Sequence, residues 1–99
     1  MRQIDELVKT NFAKKRRFRN KHTRIDIIDC QPHLYLHDNL IAKRNDKDEL
    51  LINHCGWQTV TTRARLNSLP NVNIRILKGN FILNEMGHMK HEWINIDKL

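Results

Sequence analysis

A run of cations near the start of the chain carries the clearest chemical implication. Six of the eight residues from Lys14 to Lys21 are lysine or arginine. Phosphates are common partners of such a run, and neutralising several of them releases counterions, so that affinity falls with salt. A phenylalanine among the cations can stack on a base. We predict contact with the backbone of RNA or DNA, without readout of base sequence, by Lys14, Lys15, Arg16, Arg17, Phe18, Arg19, Lys21 and Arg24.

The same run has a second interpretation that the residues leave open. If residues 14–21 are helical, Lys14, Arg17 and Lys21 share one face of the helix. Such a face can simply be solvated and keep the protein soluble, or it can lie against an acidic protein. Charge by itself does not distinguish these alternatives from a nucleic-acid contact.

A second polar cluster surrounds the predicted start of a helix near residue 60. Free backbone donors at a helix N-terminus, hydroxyl groups and arginines can together hold a phosphate or a carboxylate. The alternative is that Thr61 or Thr62 caps the helix and that Trp57 packs in the core. The predicted contacts with an anion or a partner are Trp57, Thr61, Thr62, Arg63 and Arg65.

The spacing of the histidines and cysteines does not match a catalytic or metal site. His33 and His37 are four apart on a predicted strand, which separates their side chains by about 13 Å. His54 and Cys55 are adjacent, and neighbours on an extended chain point to opposite faces. The sequence has no glycine-rich phosphate loop and no nucleophile or zinc motif. We therefore predict no catalytic residues, no metal, no cofactor and no enzyme activity.

The distribution of charge separates the first quarter of the chain from the rest. Residues 1–24 hold nine lysines and arginines against two acids, whereas the other residues hold nine of each, so the net charge of +7 arises from the first segment. A length of 99 residues fits one domain. The two cysteines form no CxxC pair and no signal or membrane segment is evident, so we expect a soluble, cytoplasmic protein with reduced thiols.

The periodicity of apolar residues predicts the elements. Ile4, Leu7, Val8 and Phe12 follow helical spacing, which favours a helix from about Gln3 to about Phe18. Alternating, β-branched segments predict strands near residues 23–29, 33–37, 40–44 and 49–53, then 72–76, 81–83 and 93–96. Between these two groups, residues 59–69 favour a helix that ends at Pro70.

These elements predict an α+β fold. A basic N-terminal helix or arm (residues 1–23) precedes a small α+β domain (residues 24–99). Short connections favour a mostly antiparallel sheet in which four strands, one short helix and three strands follow in order. Strand order, oligomeric state and the packing of the first helix stay open.

Part of the chain resembles a family of small proteins encoded by tailed bacteriophages. The specific part is the run from Gly56 to Asn67, which reads Gly-Trp-x-Thr-x-Thr-Thr-Arg-x-Arg-Leu-Asn. The preceding run from His37 to Ala42, which resembles the family's hydrophobic-x-Asn-x-Ile-Ala strand, and a Lys78–Asn84 hairpin extend the resemblance over about residues 33–96. The resemblance implies a phage source, and hence the host bacterial cytoplasm, and it implies no activity.

Two functions are consistent with these features. The first is a phage accessory protein that contacts nucleic acid through its basic N-terminal segment without catalysis. The alternative is a protein-interaction module that binds and inhibits or redirects a host or defence protein complex that handles nucleic acid. In that case Trp57 and Arg63 would anchor the partner, because tryptophan and arginine are enriched at interface hot spots.

Overall fold

The computed structural model describes residues 3–99, in which five strands precede the second helix and three follow it. The elements are α1 (Gln3–Ala13), β1 (Phe18–Asn20), β2 (Thr23–Ile28), β3 (Gln31–Leu36), β4 (Asn39–Arg44), β5 (Leu50–Ile52), α2 (Val60–Asn67), β6 (Ile74–Leu77), β7 (Asn80–Leu83), β8 (Ile94–Asn95) and a closing 3-10 helix (Ile96–Lys98).

Six of the strands form one antiparallel sheet in the order β1-β2-β3-β4-β5-β8, and β6 pairs with β7 in a separate hairpin. Two-residue turns join β2 to β3, β3 to β4 and β6 to β7. Both residues of each turn have positive φ, as type I′ turns require. The turns are Asp29-Cys30, His37-Asp38 and Lys78-Gly79. Because the turns are this short, they fix the register of the strands that they join.

One face of the six-stranded sheet forms the core. Alternate residues of β2 and β3 are buried, as expected for a sheet with one covered face. A bulge in the β3–β4 pairing turns both Ile41 and Ala42 inward. A single inward row crosses all six strands and consists of Phe18, Ile25, Leu34, Ala42, Ile52 and Ile94.

Helix α1 is part of this core. Val8 and Phe12 are almost fully buried and belong to the same apolar cluster as the sheet and Leu66 of α2. Arg65 of α2 donates to the Asp5 carboxylate of α1 at 2.7 Å and to the Thr23 hydroxyl of β2 at 3.1 Å. Since Asp5 and Arg65 are both buried, this ion pair ties both helices to the sheet.

The α+β class is confirmed, but the predicted order of four strands, helix and three strands is wrong. The helix predicted to reach Phe18 ends at Ala13, and β1 was not predicted. The apolar stripe of the helix stops at Phe12, and Lys15 adopts φ +54°. Phe18 is then half-buried as the partner of Ile25 in the sheet, an environment that a helix of solvated cations would not provide.

One expected boundary also lies elsewhere. The sequence placed residues 31 and 32 between two predicted strands, whereas both residues belong to β3. Pairing of β3 with β4 begins only at His33, so the missing N–H of Pro32 costs no bond to β4. The division at residue 23 falls within the sheet, where β1 pairs with β2. Residues 1 and 2 of the predicted arm lie outside the described residues.

Candidate nucleic-acid interface and adjoining groove

The predicted cationic residues run from the end of α1, where Lys15 reaches Asp48 between β4 and β5, to the edge strand β1 and its neighbour β2. Residues 14–17 connect α1 to β1, Arg19 is in β1, Lys21 is in the β1–β2 turn and Arg24 is in β2. Packing of α1 on one side and pairing of β1 with β2 on the other hold this segment in place. The sequence placed the cations on a helical arm, and the structure instead distributes them over a connection and an edge strand.

Two of the predicted cations form ion pairs with acidic side chains. Lys15 pairs with Asp48 at 3.1 Å. The guanidinium of Arg24 contacts Asp26 at 3.1 Å and also Asp38, and it lies 4.2 Å from the centre of the Tyr35 ring. The hydrogen bond to Asp26, with that to Asp38, raises the pKa of Arg24 above its ordinary value. Arg24 is therefore engaged within the fold.

Five of the predicted cations are exposed and form no ion pair within residues 3–99. We call these residues the cationic edge: Lys14, Arg16, Arg17, Arg19 and Lys21. Arg17 and Arg19 line a shallow hollow beside β2, and Arg19 and Lys21 line a second hollow at the β1–β2 turn. The edge thus presents free positive charge over several adjacent residues.

Phe18, the predicted stacking residue, lies partly in the core of the sheet. It is half-buried, packs against the core and stands in the inward row opposite Ile25. A ring in this position holds β1 on the sheet, and Phe18 also lines the shallow hollow that it shares with Arg17 and Arg19.

The hollow at the β1–β2 turn has a volume of about 190 Å³ and joins two turns of the sheet. The rings of His22 and His37 lie 4.5 Å apart, and the His37 amide donates to the His22 carbonyl at 2.8 Å. Cations and these two imidazoles make up most of its lining, which is Arg19, Lys21, His22, Arg24, His37 and Asp38. Neither histidine was predicted as a site residue, because only the fold brings the two turns together.

The second predicted cluster divides into buried and exposed residues. Thr59 is the N-cap of α2, since its hydroxyl accepts from the Thr62 amide at 3.2 Å, and Thr62 itself is buried. Arg65 is held by Asp5, and Arg63 is half-buried with an unpartnered Nε. Trp57 is 58% exposed, so it does not pack in the core.

Trp57 and Thr61 line a groove of about 500 Å³ between the β3–β4 turn and the start of α2. Leu36 and Ile41 form apolar parts of its wall, and Asn39 and Thr59 add polar groups. Among the residues of the second cluster, Trp57 and Thr61 are therefore the ones most open to a ligand in this groove. The sequence missed Asn39 and His37, which line it from the turn.

A buried histidine lies behind the loop that carries Trp57. The Nδ1 atom of His54 accepts from the Gly56 amide at 2.9 Å, and its Nε2–H donates to the Met89 carbonyl at 3.3 Å. Burial is the main cause that lowers the pKa of His54 below its ordinary value. The Cys55 thiol donates to the Leu40 carbonyl at 3.1 Å, and burial raises its pKa. The two side chains thus have separate partners and do not form a Cys–His dyad.

The His54 environment predicts a pH dependence of stability. The pKa of His54 in the folded state lies below its ordinary value of about 6.5, so the unfolded chain takes up a proton before the folded chain does as the pH falls. The free energy of unfolding is therefore greatest above about pH 6.5 and declines at lower pH. We expect the melting temperature to drop between about pH 7.5 and about pH 5.5, and to drop less in His54→Gln. Thermal unfolding followed by circular dichroism measures both slopes, and equal slopes would contradict this assignment.

Within the part of the chain that the structure describes, no group of three histidine, cysteine, aspartate or glutamate side chains could hold a metal ion. No helix among residues 3–99 is long and apolar enough to cross a membrane.

The fold and its surface define a small α+β protein with a cationic sheet edge beside an apolar groove. The chain belongs to the Kyanoviridae Gp96 protein family, whose model matches residues 1–99. This match confirms the predicted membership of a bacteriophage protein family. Comparison with curated proteins and with solved structures found no match.

Proposed function

We propose that the protein binds the phosphate backbone of nucleic acid through the cationic edge, without catalysis. The observation that supports this function is that Lys14, Arg16, Arg17, Arg19 and Lys21 are exposed and without carboxylate partners within residues 3–99. The carboxylates of Asp26, Asp38 and Asp48 pair with Lys15 and Arg24 and form no ion pair with these five residues.

The anchored backbone beside the cations favours binding over mere solvation. Phe12 and Phe18 pack in the core on either side of residues 13–17, and Arg19 lies in β1, which pairs with β2. A preorganised surface loses little conformational entropy on binding, so that more of the electrostatic attraction appears as affinity. Contacts with the phosphate backbone of nucleic acid carry no information about base sequence, so we expect the protein to bind nucleic acids of any sequence. The site of action under this proposal is the cytoplasm of the host bacterium.

Salt dependence provides the first test. If each of the five cations neutralises one phosphate, the logarithm of the binding constant should fall with the logarithm of the salt concentration with a slope of roughly −3.5 to −4.5. We expect the variant Arg17→Gln/Arg19→Gln/Lys21→Gln to bind more weakly and to reduce that slope by about 2 to 3. Fluorescence anisotropy with a labelled oligonucleotide, repeated over a salt series, measures both.

A control variant removes the same charge from other loops. Three exposed lysines supply it: Lys47→Gln/Lys78→Gln/Lys90→Gln. The control should keep most of the affinity and the slope of the parent protein. Equal losses in the two variants would show that only net charge matters, and absence of salt-dependent binding in the parent would reject the proposed function.

A second candidate function is an interaction with a host or defence protein complex that handles nucleic acid. The observation that favours it is the exposed pair Trp57 and Val60, which are 58% and 52% exposed beside the groove. Affinity purification from the bacterial host with and without nuclease separates the two functions. One stoichiometric protein that survives nuclease and is lost from Trp57→Ala would support the second.

A further inference from the structure

Three adjoining hollows, together called the depression, lie between two residues of the cationic edge, Arg19 and Lys21, and the groove beside Trp57. A middle hollow of about 420 Å³ shares Lys21, His22 and His37 with the basic hollow at the β1–β2 turn. The same middle hollow shares Leu36, His37 and Thr61 with the groove beside Trp57. His37 lines all three, so the hollows are immediate neighbours on the surface between Arg19 and Trp57.

The two ends of this depression differ in chemistry. Arg19 and Lys21 make the first end positive. Leu36 and Ile41 make the other end apolar, and Asn39 places an amide there that can pair with a polar edge. A matching ligand therefore carries an anion joined to a flat, apolar ring that has hydrogen-bonding groups on its rim. A nucleotide has this combination.

The indole of Trp57 is presented at the apolar end by a fixed loop. The Trp57 amide donates to the His54 carbonyl at 2.8 Å and closes a turn through Cys55 and Gly56, both at positive φ. Gly56 has φ +80°, where other residues are strained. The turn thus fixes the backbone at Trp57, whose side chain lines the groove and whose surface is more than half exposed.

We propose that this groove receives an unpaired base of single-stranded nucleic acid, stacked on Trp57, while the adjoining phosphates lie on the cationic edge. The inference rests on the proposed function and adds to it a preference for single strands. Bases within a duplex are paired along their edges and stacked on both faces, so they cannot enter the groove. Stacking on an aromatic ring tolerates every base, which agrees with binding that does not depend on sequence.

The test compares a labelled single strand of roughly 12 nucleotides with the duplex of the same sequence, by anisotropy. We expect the parent protein to prefer the single strand. Trp57→Ala should weaken single-strand binding by about 5- to 100-fold, Trp57→Tyr should restore most of it, and neither should change the salt slope. Trp93→Ala, which removes a second exposed tryptophan, is the matched control and should retain single-strand affinity.

Inorganic polyphosphate serves as a probe with phosphates and no bases. Its affinity should fall in Arg17→Gln/Arg19→Gln/Lys21→Gln and stay unchanged in Trp57→Ala. If single strand and duplex bind equally, and Trp57→Ala loses no more than Trp93→Ala, the groove does not hold a base, although the cationic edge still binds phosphate. Loss of a nuclease-resistant protein partner in Trp57→Ala, with oligonucleotide binding intact, would overturn the inference in favour of a protein ligand. Absence of binding to every one of these probes would reject the proposed function itself.

Discussion

Replacing Asp5 with alanine is expected to lower the free energy of unfolding by about 3–5 kcal/mol. The change leaves the Arg65 guanidinium buried without its counter-charge, and only the hydrogen bond to Thr23 remains. A loss of this size corresponds to a drop in melting temperature of more than about 10 °C for a domain of this length. Urea unfolding followed by circular dichroism measures it.

Two further variants test whether the loss of stability comes from the buried ion pair or would follow from the loss of any ion pair. Asp5→Leu/Arg65→Met removes both charges and should recover most of the lost stability, because apolar replacements of a buried pair are often tolerated. Arg75 and Glu85 form an exposed pair at 2.8 Å, and Glu85→Ala should lower the free energy of unfolding far less than Asp5→Ala does, because solvent screens the pair. A cost for Asp5→Ala no larger than that of Glu85→Ala would show that the buried pair does not hold the helices.

Replacing Phe12 with alanine is expected to cost about 3–5 kcal/mol as well, because it removes one of the largest fully buried side chains and leaves a cavity under α1. Leu7 is on the same helix and is 39% exposed, so Leu7→Ala should cost no more than about 1 kcal/mol. Thermal and urea unfolding compare the two. Equal small costs would mean that α1 contributes little to the core.

Because α1 contributes to the core, the binding surface cannot be tested by deleting the N-terminal segment. Deleting residues 1–24 would remove the cations, but it would also remove α1, β1 and the Asp5 partner of Arg65. Loss of binding after such a deletion would therefore report unfolding. Charge-removing substitutions at exposed positions leave the core intact and are the better test.

Several parts of the fold could be predicted from the sequence because their signals are local. Alternation from Thr23 to Ile28 indicated β2, and the turn at Lys78-Gly79 contains the glycine that positive φ favours. The helix near residue 60 followed from a threonine cap and a nearby proline. Each of these depends on residues that are neighbours in the chain.

The missed features depend on residues far apart in the chain. β1 has three residues and exists because Phe18 can be buried opposite Ile25. Arg65 was predicted to contact a partner, and its burial depends on Asp5, which lies 60 residues earlier in the chain. The cationic run was evident, but the pairing of Arg24 with Asp38 and the meeting of His22 with His37 depend on how the turns come together.

The order of strands in the sheet has a consequence for how the chain acquires its structure. From β1 to β5 each strand lies beside the one that precedes it in the chain, and two-residue turns join the first four. Closing such short loops loses little chain entropy, and local contacts favour rapid folding. β8 is the exception, since it pairs with β5 from near the C-terminus. During synthesis the strands that carry the cations can therefore pair before β8 is made, and β8 joins the sheet last.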